Sequence, residues 1–372
     1  MKQGWVEKKL GDVCDVVNGG TPKTSISEYW NGNNLWITPK DMGKLDSIYV
    51  EDTSRKITDE GMQNSSAKLF SAHSVVLSSR APIGHLAINK KPISTNQGCK
   101  GIVPSDEINY LYLYYFLKNS VKLLNSLGTG TTFKELSSGK LKNVIIPIPP
   151  LEEQKQIVAK LDQCFEAIDK AKANAAKNLE NAKELFQSKL NDILSQKGEG
   201  WVEKRFDEVC VLQRGFDLPT RMRKKGDYPL VSSNGITDYV DTWKVTSPGV
   251  STGRSGTIGK VHFIEKNYFP LNTSLYIKEF HGNDKRCIYY FLKQFDLLRF
   301  QSGAGVPTLN RNNVHSVKVY FPNSIQEQKQ IVAKLDDISK QTQSLESKYQ
   351  QELNSLEELK KSILQKAFEG EL

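Results

Sequence analysis

The segment Glu152–Asp162 reads EEQKQIVAKLD and the segment Gln326–Asp336 reads QEQKQIVAKLD, so ten of eleven letters agree at an offset of 174 residues. A second matching pair precedes them, with GWVEKKLGDVC at Gly4–Cys14 and GWVEKRFDEVC at Gly200–Cys210, at an offset of 196. Two matching pairs in the same order indicate an internal duplication, which must be recognised before any motif is interpreted. The block between the two strings is 22 residues shorter in the second copy.

The interiors of the two blocks have diverged more than their ends. Tyr114–Lys118 still resembles Tyr289–Lys293, and Arg80–Gly84 resembles Arg254–Gly259. Short β-branched runs separated by Gly, Pro and Asn predict an irregular, mostly β domain with a few helices in each block. We interpret the duplication as a fixed frame that carries a changed reading surface.

A helical period follows the prolines that end each block. Positions at alternating steps of four and three, mostly apolar, are interrupted by Asn178 in the first copy and Glu352 in the second. They are Ile157, Leu161, Cys164, Ile168, Ala171, Ala175, Ala182 and Leu185 in the first copy, and Ile331, Leu335, Ile338, Thr342, Leu345, Tyr349, Leu356, Leu359 and Ile363 in the second. Neither Gly nor Pro interrupts 151–196 or 325–369. This pattern predicts two coiled-coil helices of about 45 residues, each roughly 65–70 Å long. Because the first seam is rich in alanine and the second in larger side chains, we pair the helices with each other, antiparallel. A homo-oligomeric coiled coil is the alternative.

The predicted fold class is therefore α+β, with two mostly β domains joined by two long antiparallel coiled-coil helices in a pseudo-twofold internal repeat. The predicted divisions are a first domain at 1–150, a central spacer helix at 151–198, a second domain at 199–324 and a C-terminal spacer helix at 325–372.

Charge follows this division. The net charge is +9, with +5 in residues 1–150 and +7 in residues 197–324, whereas 151–196 and 325–372 carry −1 and −2. Two basic domains are suited to two stretches of phosphate backbone, although ordinary surface charge is the alternative. No run approaches the roughly 18–20 apolar residues that span a bilayer, and the first residues contain no apolar signal core. We expect a cytoplasmic protein without a membrane partner.

Motifs for catalysis or metal binding are missing from the sequence. The five cysteines are scattered and are expected to be buried, reduced thiols. The stretch Gly253–Lys260 resembles a phosphate-binding loop, but its spacing is one residue too long and Val261 stands where Ser or Thr would meet magnesium. No glycine-rich dinucleotide motif and no Asn-Pro-Pro-aromatic or Asp-Pro-Pro-aromatic string occurs. The prediction is a protein that is not an enzyme and holds neither cofactor nor metal.

Several strings together resemble the specificity (S) subunit of type I restriction-modification systems. They are Trp5, Leu10–Asp12, Asn18–Pro22 (NGGTP), Tyr29–Trp30, Leu35–Ile37, Asn96–Gly98 (NQG) and Pro147–Gln154 (PIPPLEEQ). The resemblance covers the whole chain and both copies. The second copy departs from it, with Gly215–Pro219 (GFDLP) in place of the GGTP string.

This resemblance implies a non-catalytic subunit with two target recognition domains, each reading one half of an asymmetric, bipartite site in double-stranded DNA. The helices would fix the spacer and dock two modification subunits, which methylate adenine. Two restriction subunits can join such a complex to make an ATP-dependent nuclease. S-adenosylmethionine, ATP and Mg would belong to the partner subunits. The alternatives are a structural adaptor that bridges two partner proteins without reading DNA, and an autonomous DNA-modifying enzyme.

Candidate DNA-binding residues follow from side-chain chemistry, since Arg, Lys, Asn and Gln read base edges and Lys, Arg, Ser and Thr hold phosphates. In the first domain we predict Thr21, Lys23, Lys40, Arg80, Thr131, Thr132 and Lys134. In the second domain we predict Arg221, Arg223, Lys224, Lys225, Ser233, Asn234, Arg254, Thr308, Asn310 and Arg311. Arg80 and Arg254 are expected to occupy equivalent positions. The predicted partner-binding residues are Glu153, Gln154, Gln156 and Lys160, with Glu327, Gln328, Gln330 and Lys334 in the second copy.

Overall fold

The computed structural model describes residues 2–130, 134–196, 198, 200–303 and 305–372. The chain divides into two compact units, the first formed by Met1–Asn174 with Glu352–Leu372 and the second by Ala175–Gln351. Each unit therefore contains one of the two repeated blocks, together with parts of both long helices.

The first unit combines short strands with short helices. Its strands are β1 (Val6–Lys9), β2 (Cys14–Asn18), β3 (Trp30–Ile37), β4 (Tyr49–Val50), β5 (Arg55–Ile57), β6 (Val75–Ser78), β7 (Leu86–Asn89), β8 (Ile93–Thr95), β9 (Cys99–Pro104) and β10 (Ile145–Ile148). Its helices are α1 (Leu10–Val13), α2 (Pro39–Met42), α3 (Asp59–Gln63), α4 (Tyr110–Asn119), α5 (Val121–Leu127) and α6 (Ser138–Lys142), followed by the long helix α7 (Leu151–Ser195). The strands form a central sheet of order β2-β9-β6-β7-β4, a second sheet of order β5-β3-β8 and the pair β1-β10.

The second unit repeats this succession. Its strands are β11 (Trp201–Arg205), β12 (Val211–Arg214), β13 (Lys225–Ser232), β14 (Gly235–Val240), β15 (Gly249–Gly253), β16 (Val261–Ile264), β17 (Phe269–Pro270), β18 (Ser274–Glu279), β19 (Gln301–Ser302), β20 (Thr308–Leu309) and β21 (Lys318–Pro322). Its helices are α8 (Phe206–Val209), α9 (Lys285–Gln294), α10 (Arg311–His315) and the long helix α11 (Ile325–Glu369). The sheets have the orders β12-β18-β15-β16 and β14-β13-β17, with the pairs β11-β21 and β19-β20.

The two units share one strand topology, which confirms the internal repeat. The order β12-β18-β15-β16 repeats β2-β9-β6-β7, and β14-β13-β17 repeats β5-β3-β8 with the same antiparallel and parallel neighbours. Beyond a bulge between Val211 and Leu212 in β12, register gives the equivalence of the central sheets residue by residue. Lys100 pairs with Asn18 and Leu77 in the first unit, and Leu275 pairs with Arg214 and Thr252 in the second.

The two long helices form as predicted, and each has 45 residues. In the first unit Lys172 of α7 forms an ion pair with Glu357 of α11, and Asp169 accepts from Lys360 at 2.7 Å. Partner numbers that rise along one helix and fall along the other indicate antiparallel packing. In the second unit the end of α7 (186–194) packs in one apolar cluster with the start of α11 (331–335).

The predicted seam is wrong at two positions. Leu185 and Leu359 are 42 % and 47 % exposed, although the heptad spacing places them in the interface. From Ala182 onward the buried positions of α7 advance in steps of four, because this end of the helix also packs on α9. There the rings of Phe186 and Tyr290 lie 6.2 Å apart. The end of α11 is likewise drawn into the core of the first unit, where the ring of Phe368 lies 5.1 Å from that of Tyr112.

The cysteines conform to their predicted character in four of five cases. Cys14, Cys99, Cys210 and Cys287 are buried free thiols, whereas Cys164 is half-buried. Burial raises the pKa of the Cys14 and Cys99 thiols to about 12, so these groups are neutral near pH 7. Of the helices described, none has the length and apolar character needed to cross a membrane.

Candidate nucleic-acid interface and helix junctions

Each long helix begins at a junction, by which we mean its first three turns and the groups of its own unit that bind them. Gln154 is fully buried at the first junction. Its side-chain oxygen accepts from the backbone nitrogen of Asn109 at 2.8 Å, and its nitrogen donates to the carbonyl oxygens of Glu107 (3.0 Å) and Pro149 (2.9 Å). One side-chain amide thus provides hydrogen-bond partners for backbone groups just before α4 and just after β10.

The second junction repeats this arrangement. Gln328 is 1 % exposed, accepts from the backbone nitrogen of Asp284 at 2.7 Å, and donates to the oxygens of Asn283 (2.8 Å) and Pro322 (2.9 Å). A buried amide must have its donors and acceptors satisfied, and Gln places them at the required reach. The repeated glutamine is therefore explained by a bond within each unit.

A tryptophan–glutamate contact also recurs. The indole nitrogen of Trp5 donates to Glu153 at 3.1 Å, and that of Trp201 donates to Glu327 at 2.8 Å. Lys2 adds an ion pair of 2.7 Å to Glu153. This lysine holds the pKa of the Glu153 carboxyl below its usual value. In each unit, the tryptophan of the repeated GWVEK string thus contacts the glutamate in the first turn of the long helix.

A tyrosine–aspartate contact closes each junction about two and a half turns further along the helix than the glutamate. Tyr115 donates to Asp162, and Tyr290 donates to Asp336. Burial is the main cause that raises the pKa of both phenols, so they act as donors at neutral pH. In the second unit Arg286 also bonds Asp336 at 2.8 Å.

These contacts correct part of the partner-binding prediction. Gln154 and Gln328 are buried and bound within the chain, so the structure leaves them no surface to offer a partner. Glu153 and Glu327 are half-buried acceptors for their tryptophans. The other four residues predicted for this role are exposed, namely Gln156, Lys160, Gln330 and Lys334.

The second unit contains a basic groove of about 500 Å³ at the edge of its central sheet. We call it the sheet-edge site of this unit, and it is lined by Gln213, Arg214, Arg254, Thr308, Asn310 and Arg311, with Leu275 at its base. Four of these residues were predicted from the sequence to bind DNA. The structure brings them together because β12, β15 and β18 end or begin at this edge and α10 starts beside them.

Each arginine of this groove is oriented by one contact of its own. Arg311 donates to Gln213 Oε1 at 2.5 Å, and Arg254 donates to the carbonyl oxygen of Asn272 at 3.1 Å. Arg214 lies 3.2 Å from the Asp217 carboxylate. A guanidinium carries five N–H donors in a planar fork, so a single bond fixes its direction without exhausting its donors.

The same edge of the first unit carries a different set of polar groups, which form its sheet-edge site. Lys100 is 5 % exposed and donates to Asn18 Oδ1 at 2.9 Å, and Ser138 donates to the same oxygen at 2.6 Å. Arg80 lies 3.1 Å from Glu135 Oε2. Burial lowers the pKa of Lys100 from its ordinary value. This site therefore combines donors with acceptors where the second unit presents three guanidinium groups.

The register overturns the expected equivalence of Arg80 and Arg254. The backbone nitrogen of Leu136 donates to the carbonyl oxygen of Ser79, as that of Leu309 donates to the carbonyl oxygen of Arg254, so Ser79 is the counterpart of Arg254. Arg80 forms an isolated bridge with Glu135, as Ser255 does with Thr308, and is the counterpart of Ser255. The two arginines are not equivalent because Ile83 and Gly84 align with Ile258 and Gly259, which places Arg80 at the position of Ser255.

The loop after the first strand of each central sheet shows a shared backbone with changed side chains. A Cβ on Gly19 would lie 1.9 Å from Asn96 O, and one on Gly215 would lie 2.2 Å from Leu271 O, so both loops require glycine for a close backbone approach. Beyond these glycines Thr21 bonds Gln97 in the first unit, and in the second unit Asp217 bonds Asn272.

The remaining predicted residues of the first unit lie apart from its sheet-edge site or on its rim. The loop with Thr21 and Lys23 is held by two indoles, since Trp36 donates to Gly20 O at 2.9 Å and Trp30 donates to Lys23 O at 3.3 Å. Lys40 lies in a separate groove of about 600 Å³ that also contains Lys44 and His85. Lys134 is exposed just before α6. Thr131 and Thr132 lie outside the described residues.

The basic run of the second unit does not line its groove. Arg221 and Lys224 are exposed, and Arg223 is half-buried with its Nε donating to Leu218 O at 3.1 Å. Lys225 begins β13 and is exposed. Ser233 and Asn234 follow β13, and Asn234 accepts from Lys260 at 2.9 Å.

Sequence reasoning missed several members of the sheet-edge sites. Asn18, Lys100, Ser138, Gln213 and Arg214 sit within or beside strands, where side chains of ordinary polar type give no local signal. The pairing of β2 with β9 places Lys100 beside Asn18, and the packing of α10 beside β12 places Arg311 beside Gln213.

Comparison with known proteins assigns the family. The model of the type I restriction modification DNA specificity domain matches residues 2–178 and again residues 198–355. This chain belongs to that family. The specificity subunit of the type I restriction enzyme MjaIX from Methanocaldococcus jannaschii is 36 % identical over 233 residues, which cover 58 % of this chain and 54 % of that protein. The EcoR124I/EcoR124II specificity subunit of Escherichia coli is 35 % identical over 170 residues, covering 44 % and 41 %.

A solved chain supports the fold over its whole length. It comes from work on complex assembly and conformational transition of the type I R-M system, and it superposes with a TM-score of 0.82 over 100 % of this specificity-domain chain and 99 % of its own length at 20 % identity. The chain spans about half the length of the curated relatives described above, at 54 % and 41 %.

Proposed function

We propose that this chain is the DNA sequence-recognition subunit of a type I restriction-modification complex. Each unit would read one half of a bipartite, asymmetric DNA site. Family membership supports this, because the specificity-domain model matches once in each unit. The net charge of +9, concentrated in the two blocks, supports contact with phosphate.

The observation that carries the proposal is the pair of sheet-edge sites. The two units share strand order and, at the sheet edge, strand register, whereas the side chains differ at the equivalent positions Asn18 and Arg214, and Lys100 and Leu275. A protein that bound the same ligand twice would keep both. A protein that reads two different half-sites must keep the frame and change the side chains that reach the bases.

The long helices are proposed to set the spacer and to dock two modification subunits. At 1.5 Å per residue, 45 residues give roughly 67 Å of helix. The exposed repeated residues Gln156, Lys160, Gln330 and Lys334 would offer two copies of one partner the same surface. These subunits would bind S-adenosylmethionine, flip the target adenine out of the duplex and methylate it.

Catalysis is proposed to lie wholly in the partners. Two restriction subunits joining the complex would bring ATP and Mg, and this chain would contribute no catalytic group. Among the described residues, no group of three or more His, Cys, Asp or Glu side chains is placed to hold a metal ion.

The test is to co-express the chain with the modification subunit encoded beside it in a host free of DNA methylation, and to map modified adenines. The expected result is a split motif, two defined halves around a fixed gap, that is absent when either protein is omitted. A stable complex with no new methylation and no sequence-specific DNA binding would contradict the proposal and favour a structural adaptor.

A further inference from the structure

We propose that the sheet-edge sites are the base-reading sites of the two units, and that Arg254 and Arg311 recognise guanine in the half-site of the second unit. This inference rests on the proposed function and assigns its specificity to particular side chains.

Chemistry points from the arginine groove to guanine. A guanidinium fork donates two parallel hydrogen bonds, and guanine presents O6 and N7 as adjacent acceptors in the major groove. Arg254 and Arg311 are half-buried, and each is already oriented, by the carbonyl of Asn272 and by Gln213. Because these guanidinium groups are already oriented, they lose little conformational freedom on binding, which favours specific hydrogen bonds over non-specific electrostatic attraction.

The comparison between the copies separates base reading from phosphate binding. The DNA backbone is the same for every sequence, so phosphate-binding residues can remain unchanged when a duplicated domain acquires a new target. At the sheet edge the charged groups are exchanged instead, with Arg254 for Ser79 and Arg311 for Ser138. The base of the site changes as well, from Lys100 to Leu275. This pattern is expected of groups that determine sequence.

The first unit should consequently read a different half-site. Its accessible groups are Asn18, which the buried Lys100 ammonium orients, and the Arg80–Glu135 pair, so acceptors stand beside the donors. Such a set suits a base edge that presents both a donor and an acceptor, as adenine does with N6 and N7. Because the two sites belong to separate units, a change in one should alter one half of the motif only.

The experiment uses the full chain co-expressed with its modification subunit, with adenine methylation mapped for each variant. Arg311→Ala, Arg254→Ala and Arg311→Lys address the second unit, and Lys100→Met addresses the first. Arg311→Lys retains the charge but loses the planar fork, so it separates guanine recognition from phosphate attraction. Lys266→Ala removes an exposed charge elsewhere in the second unit and serves as the control. Thermal midpoints of the purified complexes verify folding.

We expect Arg311→Ala and Arg311→Lys to relax one guanine position of one half-motif, with discrimination falling by about 5- to 150-fold. Lys100→Met should change the other half only, and Lys266→Ala should leave the motif intact. An unchanged motif in folded Arg311→Ala and Arg254→Ala complexes, with methylation reduced equally at all sites, would overturn base reading and indicate phosphate contacts. A half-motif without guanine would overturn the assignment of guanine. If the unsubstituted chain directs no methylation, the proposed function itself fails, and the inference fails with it.

Discussion

The junctions and the sheet-edge sites were duplicated together, but the junctions have kept their side-chain contacts and the sheet-edge sites have changed theirs. At the junctions the glutamine, tryptophan and tyrosine contacts are made twice: Gln154 and Gln328 accept from equivalent backbone nitrogens, and Trp5 and Trp201 bind equivalent glutamates. At the sheet edge the backbone is equally well repeated, but the ionic groups are not. A serine stands in one copy where an arginine stands in the other.

This difference shows why the most strongly repeated sequence segments need not form the surface that binds a partner or DNA. Identical letters at the junctions follow from an intramolecular requirement, that a long helix be fixed to its domain through buried polar bonds. Residues that differ between the copies lie on the surface where the two units differ in chemistry. Of the eight residues predicted to bind a partner, Gln156, Lys160, Gln330 and Lys334 combine repetition with exposure, and they keep the role proposed for partner docking.

The largest expected effect is at the buried glutamines. Gln328→Leu leaves the Asp284 N–H and the Asn283 and Pro322 oxygens without their partner, and each unsatisfied buried group costs about 1–3 kcal/mol. We expect the free energy of unfolding of the second unit to fall by about 2–4 kcal/mol in urea denaturation. Gln330→Leu, two positions along and exposed, should change it by less than about 0.5 kcal/mol. Equal losses in both variants would show that the junction is not held by this amide.

The next largest effect is expected at Phe186, which the structure places in the helix interface in place of Leu185, the position given by the heptad spacing. Phe186→Ala removes the ring packed beside Tyr290 and should lower the free energy of unfolding by about 1–3 kcal/mol. Leu185→Ala removes a side chain that is 42 % exposed and should change it by less than about 0.5 kcal/mol. A reversed order of the two losses, measured by the same denaturation, would restore the heptad seam.

A smaller effect is expected in the basic run of the second unit. Arg223→Ala combined with Lys224→Ala should weaken DNA binding by the assembled complex about 10-fold, without unfolding it. The slope of log affinity against log salt should fall by about 2, since each lost phosphate contact contributes about 1. Lys266→Ala with Lys278→Ala makes the same change of net charge on exposed residues and is the control. Unchanged affinity at matched salt would remove this run from the interface.

The smallest effect is a pH dependence confined to the first junction. Because Lys2 lowers the pKa of Glu153, the stabilisation is present above the unfolded value of about 4.3 and is lost as pH falls through the lower folded value. Glu153→Gln should therefore lower the urea midpoint at pH 7 by an amount equivalent to less than about 1 kcal/mol, with a smaller difference at pH 3. A difference that grew toward pH 3 would contradict this sign. Lys2 has no counterpart at Gly198, so the effect should be specific to this unit.

Two features of the fold could be predicted from the sequence, namely the long helices from their periodicity and the duplicated domain from the repeated strings. The helices at 151–195 and 325–369 follow from helical apolar spacing in segments without Gly or Pro, and the repeated fold follows from the paired strings. The sequence did not predict Leu185 as exposed, because packing on α9 shifts the seam and no local pattern records that contact. Nor could it align Arg80 with Ser255, since the equivalence depends on strand register between distant segments. Members of the sheet-edge sites such as Lys100 were missed for the same reason.

The central claim is that each unit reads DNA independently on a shared frame. It is tested most directly by replacing residues 200–324 with a second copy of residues 4–150, since both segments begin Gly-Trp-Val-Glu-Lys and end at a long helix. With the modification subunit, the account predicts methylation at a motif in which the half-site of the first unit occurs twice and that of the second unit is absent. A folded complex that still methylates the original asymmetric motif would contradict it.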